Sequence, residues 1–444
     1  MYDKIINKIN ESKNLAILGF GKEGKSTYNF IRRYLNSKKI YILDANKDLL
    51  NTCEFLKSDS NIELILGENY LNSLEEFDFI MKSPGVKISD NIYIKIEKNI
   101  YSQMSLAVEQ YRDNIIGITG TKGKSTTSSL LYKVISDQNK DCLLLGNVGI
   151  PIFDNLEKIN KNTILVIEMS IYQAESIKNS PHIGIVLNLF EEHLNYHGTL
   201  ENYYYSKLNM FKYQNETDYA IYTSKNETLS NLININNYKS NKIDISKEFI
   251  FNNDEIYYNN KLIYNKNEER LLLGEHNLTN ILFVLRISLL LNLDMNKVIE
   301  SIKTFKPLEH RMEYVGTYNN IKYYNDAIAT IPEATINCIE TIKTVDTIIF
   351  GGLDRGIDYN KLIEYFNKSN IKNFICMPET GYKISEKLIN KKIYKVETLE
   401  KAVKIAKEVT KNTCLLSPAA PSYNAFKNFE EKGKKYKELV SSDK

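Results

Sequence analysis

The chain has 444 residues, no tryptophan and only five cysteines, none of which belongs to a CxxC pair. An odd number of scattered cysteines is typical of a reducing compartment and predicts no structural zinc site. The N-terminus lacks an apolar segment of signal-peptide length, and no apolar run approaches the roughly 18 residues of a membrane span. We therefore expect a cytoplasmic protein without membrane insertion.

A strong excess of charge is also missing, since the formal net charge is +3. This charge is too small to indicate a nucleic-acid partner or a charged membrane surface. Hydrophobic residues make up 43% of the chain and charged residues 25%, as in ordinary globular proteins. A chain of this length is expected to form two to four domains.

Short apolar segments alternate with helix-like segments along most of the chain. Strands are predicted at 14–19, 40–44, 79–81, 115–119, 163–168 and 183–188, and again after residue 346 in TIIFGG, NFICM and CLLSP. This alternation predicts an α/β fold with doubly wound parallel sheets. Between about Asp218 and Glu269, short segments rich in Tyr, Ile and Asn predict hairpins instead. No linker marks the domain borders, so the pattern alone places them at 1–100, 101–305 and 306–444.

A glycine-rich loop, Gly19-Phe-Gly-Lys-Glu-Gly-Lys-Ser, follows the first predicted strand and opens a predicted helix. It matches both the GxGxxG pattern of dinucleotide-binding folds and the GxxxxGK[ST] pattern of phosphate-binding loops. Asp44 ends the next predicted strand, where a dinucleotide-binding fold carries its ribose-binding acid. Alone, this loop fits a nicotinamide dehydrogenase, a phosphotransferase, a site for another nucleotide diphosphate, or a glycine turn that only allows close packing.

A second glycine-containing loop, Gly117-Ile-Thr-Gly-Thr-Lys-Gly-Lys-Ser-Thr-Thr, also lies between a predicted strand and a predicted helix. It does not match the strict phosphate-loop pattern, because residue 118 is Ile where that pattern requires Gly. Gly120 and Gly123 still let the backbone wrap around an anion, and Lys124 can reach terminal phosphates. The hydroxyl of Ser125 can ligate Mg²⁺. The second loop therefore predicts a nucleotide site as well.

This GxTGTxGKST motif, about a hundred residues into the chain, resembles the ATP-binding loop of the Mur ligases, which build the peptide of bacterial peptidoglycan. The resemblance covers nearly the whole chain. It implies three α/β domains: a Rossmann-like N-terminal domain that binds a UDP-linked substrate, a central P-loop-type domain that binds ATP and Mg²⁺, and a Rossmann-like C-terminal domain that binds an amino acid. The implied ATP contacts in the second loop are Gly120, Thr121, Lys122, Gly123, Lys124, Ser125 and Thr126. The implied UDP-substrate contacts are Gly19, Gly21, Lys22, Glu23, Gly24, Asp44, Ser83, Gly85 and Asn147.

Three further residues lie in segments, EMSxxQ and NxxEEHLxxHGTxENYxxSK, that resemble the glutamate-adding branch of the family. The resemblance implies that Glu168 and His193 ligate Mg²⁺. It also implies that CO₂ carbamylates Lys207, which turns this cation into a carboxylate-like metal ligand, and that Lys124, His193 and Lys207 are catalytic. Taken singly, such residues are more often structural, so the inference depends on their order behind the phosphate loop. His197 follows His193 by four residues, but the acid of an HExxH zinc site is missing.

The remaining implied contacts lie nearer the C-terminus. GEHNLTN is by its residues a loop and helix cap, and the resemblance makes Asn277 and Asn280 adenine contacts. Arg311 and Asp326 resemble contacts of ATP. The tail LLSPAAPSYNAFKNFEEKGKKY resembles the glutamate-adding branch. It implies that the incoming amino acid contacts Thr330, Arg355, Ser422 and Phe429.

The chain departs from the family in NDAIAT, where NDSKAT is common. Ile328 stands where a lysine would pair with the carboxylate of glutamate, and Ala327 stands where a serine is common. Arg355 stands where a second lysine is common, and a guanidinium can hold a carboxylate through two hydrogen bonds. The acceptor is therefore open between D-glutamate, L-glutamate and another amino acid.

The implied function is ATP-dependent addition of D-glutamate to UDP-N-acetylmuramoyl-L-alanine, through an acyl phosphate, by an enzyme that binds small molecules and acts as a monomer. A dehydrogenase would leave the second loop unused. A folylpolyglutamate-synthase-like ligase normally lacks a nucleotide-binding unit ahead of its ATP loop. A non-catalytic nucleotide-binding protein would not need Glu168, His193 and Lys207 together.

Overall fold

The computed structural model of the chain describes residues 2–147, 151–190, 199–306, 309–423 and 425–442. The chain separates into two compact units. The first contains Met1–Arg270 and His276–Phe305, and the second contains Leu271–Glu275 and Lys306–Lys444. Both units are built on parallel sheets with helices between the strands, so the predicted α/β class is confirmed.

The first sheet lies in the N-terminal part of the first unit. Its strands are β1 (Leu15–Leu18), β2 (Ile40–Asp44), β3 (Ile62–Leu66), β4 (Phe79–Lys82) and β5 (Ile100–Tyr101). The helices are α1 (Asp3–Glu11), α2 (Lys22–Tyr34), α3 (Leu49–Thr52) and α4 (Asp90–Ile96). All neighbouring strands are parallel, in the order β3-β2-β1-β4-β5. The strand order reverses between β1 and β4, and ligands of such sheets bind at this point.

The second sheet also lies in the first unit and is entirely parallel. Its strands are β6 (Ile115–Thr119), β7 (Cys142–Gly146), β8 (Ile164–Glu168), β9 (Ile183–Val186), β10 (Tyr219–Tyr222) and β11 (Asn241–Asp244), in the order β11-β10-β9-β6-β8-β7. The helices are α5 (Gln103–Tyr111), α6 (Lys124–Ser136), α7 (Ile171–Ala174), α8 (Leu200–Lys212), α9 (Glu227–Ile235), α10 (Ile245–Glu248), α11 (Glu275–Leu290) and α12 (Met295–Thr304). Since β6 lies between β8 and β9, the loop after β6 is flanked by the carboxyl ends of both.

The hairpin prediction for 218–269 is wrong in its first half. Strands β10 and β11 pair in parallel in the second sheet, with α9 between them. The asparagines at 236 and 237 end that helix, and Asn237 has a φ of +37°, because asparagine also favours the left-handed turn after a helix. The second half is confirmed: β12 (Ile250–Asn252), β13 (Glu255–Tyr258) and β14 (Lys261–Asn265) form an antiparallel sheet. Asn259 and Asn260, with φ of +48° and +61°, form its two-residue turn.

The second unit contains the remaining sheet. Its strands are β15 (Glu313–Tyr318), β16 (Ile321–Asn325), β17 (Val345–Phe350), β18 (Asn373–Cys376), β19 (Lys392–Lys395) and β20 (Thr413–Leu416). The helices are α13 (Pro332–Ile342), α14 (Asn360–Lys368), α15 (Thr380–Ser385), α16 (Leu399–Val409) and α17 (Phe429–Ser441). The order is β15-β16-β20-β17-β18-β19, and β15 alone is antiparallel to its neighbour. Alternate residues of the central strands enter two separate apolar clusters, as the two-residue period of a strand requires.

Short 3₁₀ helices complete the first unit at Glu54–Ser58, Leu74–Glu76, Glu97–Asn99, Arg112–Asn114 and Ile152–Lys158. Among the described residues, no helix is long and apolar enough to cross a membrane. The domain borders at residues 100 and 305 stay predictions.

Candidate functional site

The first glycine loop connects β1 to α2 and lies against the end of β4. Gly19 has a φ of +86°, and a Cβ there would lie 2.6 Å from Val86 Cγ2. A Cβ on Gly24 would lie 2.1 Å from the carbonyl oxygen of Gly19. Ser83 Oγ donates a hydrogen bond of 2.7 Å to the same oxygen. The structure therefore brings the predicted residues Gly19, Gly24 and Ser83 together at the reversal of strand order, and two of these positions require glycine.

Asp44 ends β2 as predicted, and its carboxylate holds the backbone of this loop. Oδ2 accepts a hydrogen bond of 2.6 Å from the Phe20 N–H, and Oδ1 accepts one of 2.8 Å from the Asn46 N–H. Gly21 has no atom within 4 Å of the place where a Cβ would stand. The loop therefore has a fixed shape with an open side at Gly21.

The N-terminal sheet contacts the central part of the first unit through ionisable groups. Glu23 Oε1 accepts a hydrogen bond of 2.9 Å from Gln173 Nε2, and burial raises the pKa of Glu23. Lys82, only 6% exposed, lies 3.6 Å from a carboxylate oxygen of Glu175, and burial lowers the pKa of Lys82. Neither Lys82 nor Gln173 was among the predicted site residues. A lysine that ends an otherwise apolar strand was the available signal for Lys82.

The second glycine loop connects β6 to α6 and is held by Asn188, which lies two residues after the end of β9. The Thr121 N–H donates to Asn188 O at 3.0 Å, and the Lys122 N–H donates to Asn188 Oδ1 at 2.9 Å. Gly120 and Gly123 have φ of +151° and +87°, which explains why glycine occupies both positions. Sequence reasoning missed Asn188 because its contact with the loop joins residues far apart in the chain.

Two predicted lysines converge on this loop. Lys124 Nζ donates to Gly120 O and Thr121 O, both at 2.9 Å. Lys207, on α8, is 2% exposed, and its Nζ also donates to Gly120 O at 3.0 Å. The ring of Tyr203 lies beside this ammonium, with 5.0 Å between Nζ and the ring centroid. The structure therefore places Lys207 at the phosphate loop.

Glu168 ends β8 next to β6 and is fully buried. Its Oε1 accepts a hydrogen bond of 2.7 Å from Asn147 Nδ2, so a predicted substrate contact touches a predicted metal ligand. Its Oε2 accepts one of 3.4 Å from Ser128 Oγ. Ser128 follows Ser125 by three residues on α6, and residues at this spacing lie on the same side of a helix. Glu168 and Ser125 therefore belong to the same edge of the second sheet.

One of the predicted metal ligands, His193, lies outside the described residues, as does His197. Among the residues that the structure does describe, no group of three or more His, Cys, Asp or Glu side chains is placed to hold a metal ion. The described members of the predicted set are a hydroxyl at Ser125, a carboxylate at Glu168 and an ammonium at Lys207. Mg²⁺ takes oxygen ligands. Ser125 and Glu168 therefore offer oxygen ligands as they stand, and Lys207 could join them only if it carried an anionic oxygen group.

The segment GEHNLTN is helical from Glu275 onward, so the prediction of a loop and cap is wrong beyond Gly274. The left-handed φ of Gly274, +98°, turns the chain immediately before the apolar helix α11 begins. Asn277 and Asn280 lie in the first turns of that helix, and Asn280 Nδ2 donates to Asn277 Oδ1 at 3.0 Å. A Cβ on Gly123 would lie 2.6 Å from Asn280 Oδ1. Both asparagines are therefore buried directly beside the phosphate loop.

In the second unit, the predicted residues Arg311 and Asp326 lie close to each other. Asp326 is buried after β16, where Oδ2 accepts a hydrogen bond of 2.9 Å from Ser417 Oγ and Oδ1 accepts one of 3.2 Å from the Met312 N–H. Burial raises the pKa of Asp326 to about 7, against the opposing effect of the positive charge of Arg311. Arg311 Nε is buried and has no hydrogen-bond partner among the described residues. An unsatisfied buried donor of this kind suits an anionic ligand.

Two of the predicted amino-acid contacts, Arg355 and Ser422, lie in the segments that follow β17 and β20. The Arg355 guanidinium lies 5.9 Å from the ring centroid of Tyr423, the neighbour of Ser422. Ser422 Oγ is buried, without a hydrogen-bond partner among the described residues. Phe429 begins α17. Thr330 lies in the turn between β16 and α13, and no hydrogen bond joins its side chain to Arg355 or Ser422 in the described part of the chain.

Helix α17 also contributes a buried lysine that sequence reasoning missed. Lys432 is 2% exposed, and its Nζ donates a hydrogen bond of 3.0 Å to Gly351 O. Burial lowers its pKa to about 7. The signal was available in the helical period, because Lys432 lies four and eight residues before the buried residues Tyr436 and Val440.

Comparison with known sequences matches residues 118–287 to the family described as Mur ligase middle domain, and residues 310–419 to the family described as Mur ligase, glutamate ligase domain. The UDP-N-acetylmuramoylalanine–D-glutamate ligase of Clostridioides difficile (strain 630) is 32% identical over 448 residues, which cover 97% of this chain and 99% of that protein. The protein of the same name from Clostridium kluyveri is 30% identical over 446 residues, which cover 97% of this chain and 96% of that protein.

Solved structures show the same architecture. The MurF ligase from Thermotoga maritima in complex with ADP superposes with a TM-score of 0.58 at 16% identity, and the match covers 98% of this chain and 96% of that one. MurF from Acinetobacter baumannii gives a TM-score of 0.59 at 12% identity, with 95% and 93% covered. At such identities the likeness shows the fold alone.

Proposed function

This chain belongs to the Mur ligase family, and from that premise we propose that it joins D-glutamate to UDP-N-acetylmuramoyl-L-alanine at the expense of ATP. The names of relatives that match nearly the full length support this choice of substrates. The observation that carries the chemistry is the convergence of Lys124 and Lys207 on the carbonyl of Gly120, at the sheet edge that also holds Glu168.

The proposed ATP site is the loop between β6 and α6. The ammonium of Lys124 now donates to two carbonyl oxygens of its own loop, and the terminal phosphates of ATP would replace these acceptors. The loop N–H groups and the N-terminus of α6 would hold the phosphates. Asn277 and Asn280 would contact adenine, and further proposed contacts are Thr121, Lys122, Thr126, Arg311 and Asp326.

Ser125, Glu168, His193 and a carbamate on Lys207 are the proposed Mg²⁺ ligands. Bound Mg²⁺ would neutralise the charge of the transferred phosphoryl group. An unmodified ammonium cannot serve as a metal ligand, so the buried position of Lys207 beside the phosphate loop supports the carbamate. CO₂ would add to the neutral amine of Lys207, and the proton released would leave an anionic group in place of a cation.

The proposed reaction has two steps. In the first, an oxygen of the alanine carboxylate of the substrate attacks the γ-phosphorus of ATP, ADP leaves, and an acyl phosphate forms. In the second, the neutral amine of glutamate attacks the acyl carbon, inorganic phosphate leaves, and the amine loses a proton. Positioned cations are expected to supply most of the catalysis, because charge develops on the transferred phosphoryl group. Lys124 is the cation of the described residues best placed for this.

The two substrates have separate proposed sites. The loop from Gly19 to Gly24, with Asp44, Ser83, Gly85 and Asn147, would bind the UDP-linked substrate. Thr330, Arg355, Ser422 and Phe429 would bind glutamate, and the unsatisfied hydroxyl of Ser422 supports this role. The proposed domains are 1–100, 101–305 and 306–444. The enzyme would act as a monomer in the cytoplasm, and its five free, buried cysteines are consistent with that compartment.

The test is phosphate release from ATP with Mg²⁺ and UDP-N-acetylmuramoyl-L-alanine, with amino acids supplied one at a time. Release that depends on D-glutamate is expected. Release with only L-glutamate or another amino acid would show that D-glutamate is not the acceptor, consistent with Ile328 in place of a lysine. Release with no amino acid tested would refute the proposal.

Lys207→Ala tests the chemistry more directly, and it is expected to abolish turnover. Lys212→Ala is the matched control, because Lys212 is an exposed lysine on the same helix. An equal loss of turnover in both variants would contradict a specific role for Lys207.

A further inference from the structure

The three segments that carry the proposed contacts of Arg355, Ser422 and Phe429 meet at one turn. Gly351 and Gly352 form this turn at the end of β17. The Gly351 N–H donates to Pro418 O at 2.9 Å, and the Leu353 N–H donates to Pro421 O at 2.8 Å. These bonds join the segment of Arg355 to the segment of Ser422. The third segment, α17, is joined to the same turn by Lys432 Nζ, which donates to Gly351 O at 3.0 Å.

The turn is packed too tightly to shift one residue at a time. A Cβ on Gly351 would lie 2.2 Å from Met377 O, and a Cβ on Gly352 would lie 2.2 Å from Pro421 O. The Gly352 N–H also donates to Thr380 Oγ1 at 3.1 Å. A change in any of these contacts therefore moves the whole turn, and Arg355 lies only three residues after Gly352.

Lys432 contributes less to the stability of the fold than an apolar residue at the same position would. Its side chain is 2% exposed, and its ammonium forms no ion pair within the described part of the chain. The one hydrogen bond to Gly351 leaves most of the donor capacity unused. Burial of an ammonium without an anionic partner is unfavourable, and an apolar side chain of similar length would fill the space at lower cost. The bond to Gly351 therefore calls for another explanation than stability.

We propose that Lys432 is a positioning residue for the incoming amino acid. By holding Gly351 against α17, it sets Arg355 and Ser422 at the correct distance from Phe429. Lys432 does not itself touch the amino acid in this arrangement, because it is buried behind the turn, whereas Arg355 is exposed. The inference rests on the proposed function, which assigns Arg355, Ser422 and Phe429 to the amino-acid site.

The first measurement is hydrogen exchange of the full-length protein, which reports on the turn without any need for activity. Lys432→Met is expected to speed exchange of the amides in 351–356 by about fivefold, the effect of losing one hydrogen bond. Lys434→Met is the matched control on the exposed side of the same helix and is expected to change nothing. Lys432→Arg keeps a donor and is expected to restore slow exchange. Unchanged exchange in Lys432→Met would overturn the inference.

The second measurement compares Michaelis constants. Lys432→Met is expected to raise the KM for the amino acid about tenfold, with the KM values for ATP and the UDP-linked substrate within about twofold of the unaltered enzyme. Faster exchange with an unchanged KM for the amino acid, or an equal rise of all three constants, would overturn the positioning role. If Lys432→Met does not fold, Lys432→Gln, which is too short to reach Gly351, takes its place with the same expected outcomes. An unaltered chain that fails to turn over would refute the proposed function, while the exchange measurement would still decide the role of Lys432 in the turn.

Discussion

Asp326→Asn is expected to make the second unit more stable at neutral and alkaline pH. Asp326 is 4% exposed and accepts hydrogen bonds from Ser417 and from the Met312 N–H. Asparagine fits the same network, because its carbonyl oxygen can accept from Met312 and its amide can donate to the Ser417 hydroxyl. The substitution removes the ionisable proton and preserves the shape of the side chain.

The magnitude follows from the pKa of Asp326, which burial raises from 3.8 to about 7. At about 1.36 kcal/mol per pH unit, this difference corresponds to about 4 kcal/mol. The folded state holds the proton more tightly than the unfolded state. The resulting stabilisation is therefore present in full below pH 3.8 and is lost as the pH rises through about 7. In Asp326→Asn this loss is absent, so the gain over the unaltered chain is largest above pH 7.

The assay is urea unfolding at pH 4.5, 6 and 8, with hydrogen exchange of β16 to separate the second unit from the first. At pH 8, Asp326→Asn is expected to have a higher urea midpoint than the unaltered chain, which corresponds to a free energy of unfolding larger by up to about 4 kcal/mol. At pH 4.5 the two urea midpoints are expected to be nearly the same. Asp358→Asn, an exposed carboxylate of the same unit, is the control and should show no such dependence. A destabilised Asp326→Asn at pH 8, or a gain independent of pH, would refute the reasoning. Activity is expected to fall in the same variant, because a charge proposed to act near ATP is lost.

Three further outcomes follow from the site. Gly24→Ala should raise the KM for the UDP-linked substrate more than tenfold and leave the KM for ATP unchanged, because its Cβ would lie 2.1 Å from Gly19 O. Gly123→Ala should raise the KM for ATP and leave the KM for the UDP-linked substrate unchanged, since its Cβ would lie 2.6 Å from Asn280 Oδ1. Steady-state kinetics with each substrate varied in turn measures both constants for both variants. Equal effects on the two constants would contradict the assignment. Arg355→Met should raise the KM for glutamate about tenfold or more while Arg355→Lys keeps part of the affinity, and a titration in which the two variants match would count against a carboxylate contact.

The parts of the fold that local sequence determines were predicted well. The glycines of both loops and the apolar strands before them are visible in a few consecutive residues, since φ preference and strand burial are properties of short segments. The hairpin error between 218 and 248 has the same origin, because asparagine takes a left-handed φ both in hairpin turns and after helices.

Contacts between distant segments were beyond local reasoning. The approach of Lys207 to Gly120 spans 87 positions, and that of Lys432 to Gly351 spans 81. The packing of α8 and α17 against the sheets creates these contacts, and no short motif encodes it. Asn188 was missed for this reason, although it ends the predicted strand 183–188; Lys82 was missed although it ends the apolar strand β4. Strand ends in parallel sheets therefore deserve as much weight as glycine patterns when candidate residues are chosen.

The two glycine loops illustrate why a motif needs its surroundings. The first loop matches the strict phosphate-loop pattern, yet the hydroxyl that would ligate Mg²⁺ there, Ser26 Oγ, is buried and donates to Asp154 at 2.6 Å. A carboxylate at that place repels a phosphate, and Glu23 adds a second acid in the first turn of α2. The second loop misses the pattern by one residue, yet Lys124 and Lys207 both reach it. A triphosphate carries more negative charge than the diphosphate of a UDP-linked substrate. The ammonium of Lys124 therefore favours the second loop for ATP, and the two acids favour the less charged diphosphate at the first loop.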